Sequence, residues 1–145
     1  MCDGPQRRDS LATCYAASVD RCPFCNIERS RILLESEQAI AVPDAFPVAD
    51  GHMLVVPRQH VGSIYELTTS EQRAVWSLVG QVREHLLTGL RPHGFNIGFN
   101  EGVAAGQTVE HAHIHVIPRR LGDVPDPRGG IRWVLPDKAA YWRKP

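Results

Sequence analysis

Three histidines alternate with small or apolar residues in the run His111-Ala112-His113-Ile114-His115. An alternation with a period of two predicts a strand, here over residues 107–118, on which the three imidazoles share one face. One ring nitrogen of a neutral imidazole can be held by a hydrogen bond while the other attacks a substrate. The spacing therefore indicates a row of imidazoles that serve chemistry rather than packing alone.

The residues just before this run favour binding of an anion. A glycine-rich loop, Gly102 to Gly106, would let backbone N–H groups approach a phosphate closely. Asn100, Gln107 and Thr108 add neutral donors that suit phosphate oxygens or a leaving oxygen. Such loops are often simple turns, so it is the combination with the histidines that predicts a phosphate site.

Together these residues resemble the signature of the histidine triad (HIT) family of nucleotide hydrolases and transferases. The resemblance covers residues 22–118 and implies that His113 is the nucleophile, with His115 contacting the phosphate or the bridging oxygen. It implies a catalytic set of His113, His115, Gln107 and Thr108. The implied nucleotide-binding set is Asp44, Asn100, Gly106, Gln107, Thr108, His113 and His115.

The same resemblance bears on the sugar and the base. Asp44 stands where the family places an acidic residue, eight positions before the histidine of Gly51-His52, and a carboxylate can accept hydrogen bonds from both ribose hydroxyls. An aspartate beside Pro43 is also a common turn former. Phe24 and Ile40 are candidates for the base pocket or for the core.

Cys22 and Cys25 form a Cys-x-x-Cys motif with two interpretations. A thiol oxidoreductase would need a strand leading into a helix N-terminus, and no such pattern surrounds it. Tetrahedral zinc sites often pair this motif with two distant histidines. Resemblance to zinc-containing HIT proteins implies Cys22, Cys25, His60 and His111 as the ligands of a structural zinc, with His52 as the substitute for His60.

Hydrophobic patterning predicts the elements that position these residues. Residues 31–36 and 38–42 predict a hairpin, residues 53–57 a buried strand, and residues 94–100 a strand whose aromatic residues share one face. Thr69 to Gln72 predicts a capping box, with Thr69 as the cap of a helix that ends near Gly89. The fold class is therefore α+β: an antiparallel sheet of about five strands with one long and one short helix, as in the HIT-like fold.

Composition predicts one small globular domain. The 145 residues carry 16 basic and 16 acidic side chains, so nothing global indicates a nucleic-acid or membrane partner. We expect residues 1–20 to be a flexible extension and residues 21–145 a single domain with a loop or tail from about residue 119. No signal peptide or membrane span is evident, which favours the cytoplasm. The family resemblance implies a homodimer.

The expected function is cleavage at the α-phosphorus of a nucleoside monophosphate conjugate, and the expected partner is a small-molecule nucleotide that contains adenosine. A dinucleoside polyphosphate or a nucleoside phosphoramidate would pass through a nucleotidyl-histidine. Three alternatives stay open: a non-catalytic, zinc-stabilised nucleotide-binding module; a thiol oxidoreductase using Cys22; and a metalloenzyme that uses His111, His113 and His115 as ligands.

Overall fold

A single antiparallel sheet forms the centre of the fold in the computed structural model, which describes residues 21–143. The extension predicted over residues 1–20 lies outside the described residues. The strands are β1 (Leu34–Glu35), β2 (Ala39–Pro43), β3 (Met53–Pro57), β4 (Gly94–Gly98) and β5 (Ile114–Arg119), and the α-helices are α1 (Thr69–Leu90) and α2 (Pro136–Ala139). Within residues 21–143, no helix combines the length and the apolar character needed to cross a bilayer.

The five strands lie in the order β1-β2-β3-β5-β4, and all neighbours are antiparallel. The predicted α+β architecture is confirmed. The turn between β2 and β3 depends on Gly51, whose φ of 80° suits glycine. A Cβ at Gly51 would also collide with Leu90 at the end of α1. This tight turn places His52 immediately before β3.

Alternation along the strands gives the sheet two faces of different use. One face carries small and aliphatic side chains that pack with the apolar stripe of α1 in the larger core, and among them are Ala41, Val55, Ile114 and Val116. The opposite face carries Ile40, Val42, Leu54 and Val56, which pack with Phe24, Ile27 and Ile32. This second face, away from α1, is where the site forms.

Helix α1 begins one residue earlier than predicted. Thr68, not Thr69, is the N-cap, and Glu71, not Gln72, reaches back to it: the Glu71 carboxylate accepts from the Thr68 N–H at 2.8 Å. The Gln72 side chain instead donates to the Leu67 carbonyl at 2.9 Å. Two capping patterns overlap in the sequence, and Thr68 caps because its backbone is extended.

The histidine run is strand only at its end. Strand β5 begins at Ile114, so His111 and His113 precede it and the strand predicted from residue 107 is too long. The alternation nevertheless holds, because Ala112 and Ile114 are buried in the core under α1 while His113 and His115 line the opposite side. The imidazoles are thus placed by the chain leading into β5 as much as by the sheet.

Candidate functional site

A cavity of about 370 Å³ lies on the sheet face away from α1. Its lining includes polar residues that the sequence singled out: Asp44, Asn100, Thr108, His113 and His115. Gly106 also lines it, whereas the Gln107 side chain does not. The structure therefore brings together most of the residues predicted to bind a nucleotide, from four separate parts of the chain.

His113 is held in one tautomer. Its Nδ1 lies 2.8 Å from the backbone carbonyl of His111, and a carbonyl can only accept, so Nδ1 carries the proton. Nε2 is then the atom with a free lone pair. The side chain is largely buried, at 9% exposure, yet it lines the cavity. A buried, oriented imidazole facing a cavity is the arrangement that nucleophilic catalysis requires.

His115 is oriented by His52 through a short relay. The Val48 N–H donates to His52 Nδ1 at 3.3 Å, so the proton of His52 sits on Nε2. That Nε2 lies 2.9 Å from His115 Nδ1 and donates to it, which leaves the proton of neutral His115 on its own Nε2. Burial, aided by the charges of His113 and His52, lowers the pKa of His115 to about 4. At neutral pH His115 is therefore a neutral hydrogen-bond donor.

Asp44 lies beside this relay. Its Oδ1 accepts from the Phe46 N–H at 2.8 Å, which is the turn that an aspartate after proline favours. Its Oδ2 lies 3.4 Å from His52 Nε2 and 3.8 Å from His115 Nδ1. Asp44 thus forms a turn and also directs one carboxylate oxygen at the histidines, so the two interpretations of this residue are both compatible with the structure.

The loop from Gly102 to Thr108 is closed by its own hydrogen bonds. Gln107 Oε1 accepts from the Gly102 N–H at 2.8 Å, and Nε2 donates to the carbonyls of Gly62 and Val109 at 2.9 and 3.1 Å. The Gly106 N–H donates to Val103 at 3.0 Å. These hydrogen bonds stabilise the loop, and the polar residues that line the cavity from this part of the chain are Asn100 and Thr108.

The rest of the cavity lining is mostly apolar. Phe24 lines it and its ring lies 5.0 Å from the His113 ring, whereas Ile40 faces a separate surface depression next to His60. Sequence reasoning missed Ile27, Val42 and Leu54, which complete the apolar wall. Strand alternation could have identified Val42 and Leu54, because these register partners of β2 and β3 lie on the same face of the sheet.

A second cluster gathers four metal-binding side chains. Cys22, Cys25, His60 and His111 bring all their ligand atoms within 4.8 Å of one another. His111 Nε2 donates to the Pro57 carbonyl at 2.8 Å, which leaves Nδ1 free of a proton and facing the Sγ atoms of Cys22 and Cys25 at 3.3 and 3.5 Å. His60 Nδ1 lies 3.1 Å from Cys25 Sγ.

These distances fit a tetrahedral ion. The bond lengths of zinc to sulfur and nitrogen give ligand-to-ligand edges of about 3.3–3.8 Å, close to the spacings in the cluster. Burial lowers the pKa of His111, which keeps it neutral as a ligand must be. His52, the substitute for His60, belongs instead to the relay with His115. The geometry and the donor set of the cluster could thus hold a metal ion.

The structure also argues against a thiol oxidoreductase that uses Cys22 and against a metalloenzyme that uses His111, His113 and His115 together as ligands. Cys22 is buried and lies in a turn, and burial together with Cys22 raises the pKa of Cys25 to about 11, the opposite of a reactive thiolate. Among residues 21–143, the groups able to hold a metal each contain a single histidine of the triad, and His113 is in neither. The three histidines therefore have three different surroundings.

Comparison with known proteins agrees with this arrangement. The HIT domain family model matches residues 27–122. The HIT-like protein MG132 of Mycoplasma genitalium, itself uncharacterized, is 43% identical over 70% of this chain and 75% of its own length. AP-4-A phosphorylase of Mycobacterium tuberculosis is 30% identical over 85% of this chain, which spans 64% of that enzyme.

One of the similar solved structures combines a histidine triad with bound zinc. The crystal structure of a Zn-bound histidine triad family protein from Mycobacterium smegmatis aligns with a TM-score of 0.62 and 36% identity, over 74% of this chain and 86% of that one. The triad, the antiparallel fold, the family match and these relatives lead to one conclusion. The chain belongs to the HIT-domain family.

Proposed function

We propose that the protein cleaves the α-phosphorus linkage of a nucleoside monophosphate conjugate through a nucleotidyl intermediate on His113. The observation that carries the proposal is the single tautomer of His113, whose proton is held on Nδ1 by the His111 carbonyl at 2.8 Å. Asn100, Thr108 and His115 line the same cavity and can bind phosphate oxygens. The name of AP-4-A phosphorylase, a relative, supports a nucleotide as substrate.

The reaction has two balanced halves. In the first, His113 Nε2 forms a bond to phosphorus while the bond from phosphorus to the leaving oxygen or nitrogen breaks, and the leaving atom takes up a proton from solvent. In the second, water forms a bond to phosphorus as the Nε2–phosphorus bond breaks, and the attacking water releases a proton to solvent. His113 returns to its neutral form. If inorganic phosphate replaces water, the product is a nucleoside diphosphate.

Each neighbouring residue has a role in this scheme. The Nε2–H of His115 donates to a phosphoryl or bridging oxygen, and Asn100 and Thr108 donate to the others. Asp44 accepts from the ribose hydroxyls, and the wall containing Phe24 and Leu54 binds the base. Gln107 acts as a positioning residue, because its amide fastens the loop that carries Gly106 and Thr108.

The four-ligand cluster would hold a structural zinc. Two thiolates and two imidazoles fill a tetrahedral shell, which leaves no open position for a substrate. A bound zinc would anchor the chain around His111, whose carbonyl orients His113.

Phosphorus NMR with a diadenosine polyphosphate and an adenosine phosphoramidate tests the function. We expect AMP from the wild-type protein in buffer and a loss of turnover of about a thousandfold or more in His113→Ala, because the nucleophile is gone. The matched control is His85→Ala, on the exposed face of α1. Formation of ADP in phosphate buffer would identify a phosphorylase.

Two outcomes contradict the proposal. Turnover retained in His113→Ala would exclude a nucleotidyl-histidine at this residue. Absence of turnover by the wild-type protein, with AMP still bound, would favour the non-catalytic binding module instead.

We further propose a homodimer formed through β4 and α1. Strand β4 is an edge of the sheet, so its outer backbone groups are available to a second strand. Trp76 on α1 is 44% exposed, and aromatic residues are favoured in interfaces. Light scattering coupled to gel filtration measures the mass directly, and a monomer at micromolar concentration would contradict this proposal.

A further inference from the structure

We propose that the C-terminal segment, residues 120–143, builds a second pocket that binds an uncharged apolar or aromatic leaving group beside His115. This inference rests on the function proposed above and adds a determinant of specificity to it. Part of the wall of this pocket comes from residues 130–134, beyond the HIT-domain match, which ends at residue 122. We call it the leaving-group pocket.

The leaving-group pocket is a cavity of about 740 Å³. It is lined by Ile117 of β5, by the loop 48–50, and by Ile131, Trp133 and Val134 of the C-terminal segment. Ile117 lies two residues after His115 and so on the same face of β5. The pocket and the catalytic cavity therefore share one face of the sheet.

Ile131 reaches the strand pair directly beside His115. In the register of β4 and β5, Gly98 lies opposite His115. Opposed residues of an antiparallel pair place their side chains on the same face, about 5 Å apart at Cβ. Gly98 has no side chain, and a Cβ there would lie 3.6 Å from Ile131 Cδ1. The missing side chain of Gly98 leaves the space between His115 and the C-terminal segment.

The loop 48–50 makes a second connection between the two cavities. The Val48 N–H donates to His52 Nδ1 at 3.3 Å, and Val48 also lines the leaving-group pocket. A groove lined by Asp44, Val48 and His52 shares Asp44 with the cavity at His113 and Val48 with the leaving-group pocket. A substrate whose phosphorus lies at His113 can thus extend its leaving group past His115 into the second pocket.

The charges of the leaving-group pocket do not favour a polyphosphate. Arg119 Nε donates to the Asp123 carboxylate at 2.7 Å and its Nη1 donates to Asn96 Oδ1 at 2.5 Å. Arg120 Nη2 donates to the Leu90 carbonyl at 2.9 Å. The two arginines of the lining are balanced by Asp50 and Asp123, so the pocket offers no net positive charge to a polyphosphate, whereas apolar surface is open: Ile131 is 66% exposed and Val134 is 72% exposed. Covering that surface with an uncharged group is favourable.

The wall of the pocket is a folded unit. Trp133 Nε1 donates to the Arg128 carbonyl at 2.8 Å, and the Arg128 guanidinium stacks 4.7 Å from the Trp142 ring. The same ring packs against Gly129, where a Cβ would lie only 3.1 Å from it. These contacts fix residues 128–133 against one another and against Trp142, so Ile131 and Trp133 present a preorganised surface.

The test compares two probes that differ only in the leaving group: adenosine 5′-phosphoramidate and its N-(2-phenylethyl) derivative. We expect the wild-type protein to have a higher kcat/KM for the phenylethyl probe. That preference, the ratio of the two kcat/KM values, should fall about tenfold in Ile131→Ala and in Trp133→Ala, as when apolar contacts are lost. Leu135→Ala, an exposed residue of the same segment outside the lining, should keep the ratio.

Dissociation constants of both probes, measured in a His113→Ala background, separate this proposal from the proposed function. If the wild-type protein cleaves neither probe, the proposed function is wrong. The pocket is still supported if the phenylethyl probe binds more tightly than the unsubstituted probe and Trp133→Ala removes that difference. An unchanged preference in Ile131→Ala and Trp133→Ala, in both turnover and binding, would overturn it. A fall in turnover of diadenosine tetraphosphate alone in these two variants would also overturn the proposal, because it would assign the pocket to a second base.

Discussion

At the scale of single residues, hydrogen bonds give the three histidines of the triad different protonation patterns. His111 keeps Nδ1 free towards the cysteines, His113 keeps Nε2 free towards the cavity, and His115 keeps its proton on Nε2. The first two depend on backbone carbonyls, whereas the third depends on His52. Identical side chains at alternate positions can therefore act as metal ligand, nucleophile and donor.

The dependence of His115 on His52 is testable with His52→Leu. Without the donor from His52, the nearest remaining partner of His115 Nδ1 is the Asp44 carboxylate at 3.8 Å, which can only accept. We expect the proton of His115 to move to Nδ1, so that the donor towards the substrate is lost and kcat falls about a hundredfold. Nitrogen-15 NMR of labelled histidine reports the tautomer at neutral pH.

His85→Leu makes the same substitution on the exposed face of α1 and should change neither the tautomer nor kcat. An unaltered His115 tautomer in His52→Leu would show that another group orients this ring. A fall in kcat without a change of tautomer would assign His52 a role of its own.

At the scale of elements, the sequence predicts types better than ends. The alternation of apolar residues and histidines correctly separated the two sides of residues 111–118, because the apolar residues must be buried under α1. The hydrogen-bonded pairing with β3, however, begins only at Ile114. Likewise, Thr68 and Thr69 are equally good caps as residue types. Which of them caps depends on where the chain turns after Leu67, and that is decided by packing of Leu67 in the core.

Thr68→Ala should therefore destabilise the protein by about 1 kcal/mol, because it removes the acceptor for the Glu71 N–H and the partner of the Glu71 carboxylate. Thr69→Ala is the matched control. It should be neutral or slightly stabilising, since alanine has the higher helix propensity at an exposed first-turn position. Urea unfolding of both variants measures the difference. A larger loss of unfolding free energy in Thr69→Ala would mean that Thr69, the residue predicted from the sequence, is the N-cap.

At the scale of the whole molecule, the four-ligand cluster joins segments that are far apart in the chain. Cys22 and Cys25 come from the first described turn, His60 from the chain after β3, and His111 from the approach to β5. The Cys-x-x-Cys motif indicates a metal site completed by two distant histidines, but it was the resemblance to zinc-containing HIT proteins that selected His60 and His111 from the seven histidines of the chain. The leaving-group pocket could not be named in that way, since it depends on how residues 130–134 pack against Gly98.

A bound zinc would couple stability to catalysis through His111. Its side chain would hold the metal while its carbonyl accepts the His113 Nδ1–H at 2.8 Å. We expect one zinc per chain by metal analysis. Saturation at about a thousand times the dissociation constant would stabilise the fold by about 4 kcal/mol, so chelation should lower Tm by about 10 °C.

The same coupling predicts that chelation lowers kcat at temperatures well below the new Tm, because His113 loses its fixed orientation before the chain unfolds. Added zinc should restore both Tm and kcat in the wild-type protein. Cys25→Ser should bind zinc more weakly and start near the chelated Tm, with little further change on chelation. A chelated protein with unchanged Tm and kcat would show that these four residues form a hydrogen-bonded cluster without a metal, and that the His111 backbone alone suffices to orient the nucleophile.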